Sequence, residues 1–350
     1  MDLQRPIPEL DAWLEAFRSR GDPLADDAAA ELMRSRRSLQ GDWVDGLATG
    51  GPACRRLHEH AFTVPLWVDF ERMRAGAQLG LRTPVQSALA LIMGSLMELY
   101  GAARGAKVLI RSGRLESQVI SRLHDTTTFV LEIAASRGPR PGTKAHRHVL
   151  RTRLVHAFIR HGMLKRPDWD LAAWGLPVNQ EDYAGTLLAF SHVYLRSMER
   201  IGARLTEEEA DSVHHIYRWV GWVMGVDPEL LTATRAEERV LYAHITRRQL
   251  HPDDDSRALA HSLISALDRR PPIFLPAAAL CELSREMLGD PLCDALGLQH
   301  APKWAAFGDR ALPWLSSVQR TVERLPLARF PIELVGEQVA RAVYKYGLRA

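Results

Sequence analysis

Two stretches of this chain hold side chains whose types and spacing can do chemistry. In RLHDTTTFV, Arg122, Asp125, Thr126 and Phe129 fall at i, i+3, i+4 and i+7, which puts a guanidinium, a carboxylate, a hydroxyl and an aromatic ring on one helix face. Such a face is either an Arg122–Asp125 surface pair over ordinary packing or the polar lining of a buried site. In the second case Arg122 holds a haem propionate or polarises oxygen, and Thr126 donates a hydrogen bond. In RTRLVHAFIRHGM, His156 stands among Leu154, Val155, Ala157, Phe158 and Ile159. A neutral imidazole in an apolar setting is either a satisfied core histidine or an axial ligand for haem iron. The polar helix upstream favours the ligand, because two facing helices supply the two sides of a flat cofactor.

His161 lies five residues after His156 and points to another face, so the pair does not chelate one metal; that disfavours zinc and leaves one inward ligand. Arg153 and Arg160, at −3 and +4 from His156, are placed to reach propionates or solvent. His146 and His148 point roughly 200° apart and read as surface residues. One of His214 and His215 must face inward if their helix is amphipathic. The run HPDDD at 251–255 reads as a helix end followed by a dipole-favoured N-cap. The chain has no GxSxG, no HExxH, no P-loop lysine, no dinucleotide GxGxxG and no DDxxD after an apolar helix, which removes several hydrolase, nucleotide-binding and terpene-synthase readings.

The elements that must position these residues are helices. Thr83-Pro84 reads as an N-cap and first-turn pair opening a helix to about Tyr100. A second helix is expected from Leu115 to Ala135, and a third, capped by Thr143, carries His156 to about Gly162. Asn179 with Asp182, Thr206 with Glu209, and Thr234 with Glu237 open three more. Further helices are expected at Asp253–Asp268, Pro276–Leu288 and Lys303–Val322, and the apolar spacing of the tail 329–350 suits a docking helix first and a membrane-surface anchor second. Strand signals are scarce. The expected fold is all-α, a single large helical domain. Within it, 1–80 form an N-terminal helical extension, 81–300 the core, and 301–350 a C-terminal helical segment packing on that core.

Composition agrees with a globular chain: 350 residues, 46% hydrophobic, formal net charge +3. That balance calls for neither nucleic acid nor an anionic membrane. The three cysteines, Cys54, Cys281 and Cys293, show no CxxC spacing. The most apolar run, 85–97, is too short to span a bilayer. The N-terminus MDLQRPIPELDAWLEAF lacks a basic start and apolar core, so a cytoplasmic protein without stable membrane insertion is expected.

In order and spacing, RLHDTTTF, RTRLVHAFIRH, PVNQEDYAGTLLAF and YRWVGWVMGVDPELL resemble the superfamily of rubber oxygenases (latex-clearing proteins) and mycophenolic-acid-pathway oxygenases over roughly 81–298. The resemblance implies a globin-like haem-binding core, b-type haem with its iron, and O2-dependent cleavage of a carbon–carbon double bond in an isoprenoid chain. It implies His156 as the proximal iron ligand and His161 as support for the haem surroundings. Arg122, Asp125 and Thr126 match the distal Arg-x-x-Lys-Thr pattern, with Asp125 where the family has a lysine able to ligate iron. That departure leaves the sixth position open or lets His124 approach it. The family's catalytic glutamate has no clean counterpart; Glu116 is nearest.

The function expected is therefore a haem b-dependent oxygenase acting with O2 on a small apolar substrate, with cleavage of an alkene bond as its chemistry. With no signal peptide evident, polymeric rubber is disfavoured as the substrate. A homo-oligomer is compatible with these features. The alternatives are a non-catalytic haem sensor or carrier, and a haem-free all-α interaction module.

Overall fold

The computed structural model describes residues 7–35, 43–112, 115–135, 138–270 and 274–305, with the side chains of 115–118 and 135 outside that description. In chain order the helices are α1 (Ile7–Arg18), α2 (Pro23–Ser35), α3 (Trp43–Ala48), α4 (Pro52–Phe62), α5 (Arg74–Arg82) and α6 (Pro84–Leu89). A π-helical stretch, π1 (Ala90–Leu96), leads into α7 (Met97–Gly101), followed by α8 (Ala103–Arg111), α9 (Leu115–Ala135), α10 (Lys144–Met163), α11 (Leu171–Trp174) and α12 (Gln180–Leu188). A second, π2 (Ala189–Val193), joins α12 to α13 (Tyr194–Arg200). Then come α14 (Glu207–Met224), α15 (Arg235–Gln249), α16 (Asp254–Leu267), α17 (Ala277–Leu288) and α18 (Asp290–Ala295). No strand occurs among the described residues, so the fold is all-α. Most of the expected helix at 303–322, the tail at 329–350 and the side chain of Glu116 lie outside the described residues.

The helix starts follow local capping chemistry. The side chains of Thr143, Asn179, Thr234 and Asp253 each accept from a backbone N–H three residues on. At α14 the box is reciprocal: Thr206 Oγ1 accepts from Glu209 N at 3.1 Å and Glu209 Oε2 accepts from Thr206 N at 2.9 Å. Thr206→Ala leaves a first-turn N–H without its partner. It is expected to cost about 1 kcal/mol, read as a lowered urea midpoint at unchanged slope. Thr83 differs from its expected role: its hydroxyl donates back to Leu79 O at 2.7 Å and caps nothing.

The helices bury two apolar clusters. The larger joins Leu14 and Phe17 of α1, Ala28 and Leu32 of α2, and Leu57 of α4 to Leu150 and Leu154 of α10 and Trp219 and Val223 of α14. The helices α1 to α4 thus share one core with the His156 helix. A buried leucine of this kind contributes about 1.5–3 kcal/mol. The smaller cluster packs π1, α7 and α9 on α16 and α17. The surface expectation for His146 fails: it is fully buried, its Nε2 2.8 Å from Ala61 O. Of His214 and His215, one was expected to face inward, and both are buried. His214 reaches Thr232 Oγ1, and His215 Nε2 accepts from Asp69 N. Each finds a partner far along the chain, which no helical wheel contains.

The helices expected at 83–100 and 179–200 form, but each contains a π turn. These turns pack on one another: Ser95 Oγ donates to Ala189 O at 2.6 Å, and a Cβ on Gly94 would lie 2.3 Å from Ser197 Oγ. A π turn spends one residue more on a turn than an α turn does, and neither run carries a local signal that marks where it falls.

Candidate functional site

Helix α10 shows two faces. Along one, His148, Thr152, Val155, His156 and Ile159 keep within about 100° of arc, and all are half-buried. The other face is charged and sealed. Arg153, 2% exposed, pairs bidentately with the equally buried Asp22 (Nε–Oδ2 2.6 Å, Nη2–Oδ1 2.8 Å) and donates to Val223 O at 3.1 Å. Arg160 pairs with Asp26 and donates to Pro177 O and Val178 O. His161 Nε2 lies 3.1 Å from Asp26 O. The two arginines that could have reached propionates are instead tied to the start of α2. His161 belongs to the same anchoring face, turned away from the His156 stripe.

His156 combines properties rarely found together. Burial, with Arg160 nearby, holds its pKa down to about 4, so the ring is neutral at ordinary pH. Its Nδ1 is buried without a hydrogen-bond partner among the described residues. Yet the residue keeps accessible surface. The ring is thus surrounded by protein while part of the residue stays accessible. Tyr183 stands with its ring centroid 5.5 Å away, and its hydroxyl is likewise buried without a well-formed hydrogen bond. Desolvation raises the Tyr183 pKa far above its usual value, so the phenol stays protonated.

The walls around His156 can be traced through ring contacts. Tyr183 and Phe190 lie seven residues apart on the continuous helix α12–π2. Phe190 meets Phe129 of α9 at 6.2 Å and stacks on Tyr217 of α14 at 5.6 Å. Phe129 stands edge-on to His148 at 5.5 Å, which returns the circuit to α10. His148 Nδ1 is 2.9 Å from Glu132 Oε2 at this end of the α9–α10 seam. These rings link α9, α10 and α12–π2, with Tyr217 of α14 behind Phe190. The third wall, Tyr183 and Phe190, was missed from the sequence: its run PVNQEDYAGTLLAF had stood out, but nothing local shows which of its aromatics turn inward.

Helix α9 delivers part of its expected face. Arg122, Thr126 and Phe129 are half-buried, and Arg122 Nη2 reaches toward Leu109 O at 3.4 Å. Asp125 departs from them, with its side chain 75% exposed and 3.5 Å from His124 Nδ1. A carboxylate pays heavily for burial, and the roughly 60° between Asp125 and Arg122 on the wheel suffices to turn it out. His124 leans to the same outer side. The lysines nearest in sequence are engaged elsewhere: Lys107 with Asp253 and Asp255, Lys144 with Glu132. Among the described residues no three His, Cys, Asp or Glu side chains converge to hold a metal ion, and no helix is long and apolar enough to cross a membrane.

The family model described as "ER-bound oxygenase mpaB/B'/Rubber oxygenase, catalytic domain" matches residues 79–321. The rubber oxygenase of Streptomyces sp. (strain K30) is 23% identical over 324 residues, covering 91% of this chain and 77% of that protein. Among solved structures, latex clearing protein LCP in the closed state superposes with a TM-score of 0.74 at 19% identity, over 93% of this chain and 91% of the other. At that identity the likeness shows the fold.

Proposed function

Since the chain belongs to the mpaB/rubber oxygenase catalytic-domain family and is an oxygenase, we propose that it binds haem b in the space between α9, α10 and α12–π2 and uses O2 on a small apolar alkene. One observation carries this reading: His156 is neutral, deep, unpaired at Nδ1 among the described residues, and still partly accessible. The donor set fits haem, whose iron needs a single protein ligand, and does not favour a multi-ligand metal ion.

In this reading His156 would be the residue that holds the haem iron. With Nδ1 walled off, Nε2 is the nitrogen left to bind, and the low pKa keeps its lone pair free of a proton. Its position is set from behind by Arg153 and Arg160 on α2, with His161 a supporting contact on the same side. Arg122, half-buried on α9, supplies positive charge for a propionate or for polarising oxygen, and Thr126, one turn on, donates a hydrogen bond to dioxygen. Phe129 and Phe190 give the space apolar walls that hold an alkene and exclude water. When bound, haem iron supplies the redox chemistry by which O2 adds across a C=C bond to give two carbonyl products. Asp125, directed to solvent, has no part in these steps. The sensor-or-carrier alternative rested on Asp125 altering the distal side, and its outward position removes that ground.

A visible spectrum of the purified protein tests haem, and oxygen uptake with an apolar alkene tests turnover. Thr126→Ala is expected to keep the Soret band and lower oxygen turnover about tenfold, the equivalent of roughly 1.4 kcal/mol for one lost hydrogen bond. Arg122→Ala is expected to weaken haem retention or turnover at unchanged helical circular dichroism. If both variants keep full haem loading and full oxygen reactivity, the α9 face is only a packing stripe.

A further inference from the structure

Glu238 of α15 is a buried carboxyl with no cation within ion-pairing distance among the described residues. Its hydrogen-bond partner is Ser191, in the π2 turn. Ser191 Oγ contacts Glu238 Oε1 and also stands 3.0 Å from Leu187 O. A serine hydroxyl has one proton, and a carbonyl only accepts. If Ser191 donates to Leu187 O, the proton in the other contact must come from Glu238. With Glu238 ionised the single Ser191 proton is divided between two acceptors, whereas a protonated Glu238 gives each contact a proton of its own. Burial acts in the same direction, pushing the Glu238 pKa up to about 7 against the opposing pull of Ser191, Arg235 and Arg239.

The groups facing Glu238 are few. On its own helix they are Arg235, itself engaged by Glu207 and Asp211 of α14, and Arg239. On π2 the neighbour is His192, which lies over Tyr242 and is held neutral by burial and by Arg196, Arg239 and Arg235. The charged groups of α1, α8 and α12 that pack on α15 meet its far end. There Asp11 pairs with Arg247, Glu15 and Glu181 with Arg248, and Arg104 with Gln249.

We propose that Glu238, as a neutral carboxylic acid, is a positioning residue for the candidate site: its O–H donates to Ser191 Oγ and fixes the π turn that sets Phe190 against Phe129, and its ionisation releases that turn. The link to the site rests on the reading of the space beside His156 given above. The Glu238–Ser191 bond itself does not. Because Phe190 directly precedes Ser191 in the chain and contacts both Phe129 and Tyr217, loosening π2 moves the ring that meets α9.

Hydrogen–deuterium exchange of Ala189–Val193 in the full-length protein, corrected for intrinsic rates, tests this at pH 6 and pH 8. One pH unit above its midpoint an acid is about tenfold more ionised than neutral, so wild-type protection is expected to fall about tenfold at pH 8. Glu238→Gln, whose amide donates to Ser191 as the acid does, should keep high protection at both pH values. Glu238→Ala should be unprotected at both. Should Glu238→Ala fail to fold, Ser191→Ala serves in its place, with low protection at both pH values. Equal wild-type protection at pH 6 and pH 8, or a Glu238→Gln variant as pH-sensitive as wild type, overturns the proposal. In the haem-loaded enzyme an alkaline fall in turnover present in wild type and absent in Glu238→Gln supports the link to the site. A π2 that loosens with no change in turnover sinks the positioning role. The expected exchange pattern in a protein that consumes no oxygen leaves the Glu238–Ser191 bond standing and removes the oxygenase site instead.

Discussion

Alanine in place of His156 is expected to leave a folded protein that no longer retains haem. Loss of an outer-shell partner costs a metal site roughly 10- to 100-fold in affinity, and loss of the protein ligand itself should exceed that. The Soret band should vanish from the purified variant and return in part with added imidazole. The apoprotein should remain helical, because the substitution breaks no hydrogen bond at Nδ1, which has no partner among the described residues. It should also change the acid limb of stability in a defined direction. His156 titrates near 6.5 when unfolded and about 4 when folded, so between those values the unfolded chain binds more protons and stability falls as pH falls. The variant should lose part of that slope. It keeps the rest, because burial also holds His60, His192 and His214 down to about 4. A variant with a normal Soret band and one haem per chain would refute the assignment.

Asp22→Ala should have the largest effect on stability. It leaves the Arg153 guanidinium buried with only Val223 O and His60 Nδ1, 3.0 Å away, as acceptors. Breaking one side of a buried pair costs about 3–5 kcal/mol, a large share of the roughly 5–15 kcal/mol that holds a typical domain folded. Thermal unfolding should show a drop in midpoint of roughly 4–7 °C. The surroundings give little room to adapt. Gly225, at φ +83°, lies so close that a Cβ there would come within 2.5 Å of both Arg153 Nε and Asp22 Oδ2. If Asp22→Ala unfolds within a degree or two of wild type, the pair is not the anchor of α10. Haem affinity should fall along with stability in this variant, because the anchor holds the helix bearing His156.

What the sequence disclosed about this molecule was mostly local. Caps at Thr143, Asn179, Thr206, Thr234 and Asp253 act over three residues, so their helices were legible, as was the apolar setting of His156. Partners far apart in the chain were not. Arg153 meets Asp22 across 131 positions and Arg160 meets Asp26 across 134, and from the helical wheel alone both arginines were equally suited to solvent. His146 was misread for the same reason, its acceptor being Ala61 O, 85 positions away. Asp125 shows the limit of face arguments: a stripe drawn at i, i+3, i+4 and i+7 is wide enough for one edge to stay wet while the rest turns inward. The aromatic wall of Tyr183 and Phe190 depends on how α12–π2 crosses α9 and α10, which packing decides.

The match to the family begins at Leu79, yet the carboxylates that neutralise the back of α10 stand at Asp22 and Asp26. An excised fragment starting at Leu79 would keep the whole recognisable oxygenase region and still carry two guanidiniums stranded in its interior. It would also bare the apolar faces on which α2 and α4 now sit. Homology therefore marks a boundary at which this molecule cannot be cut. Any library, fusion or minimal version that treats the first eighty residues as dispensable is trimming the foundation under the helix that holds His156.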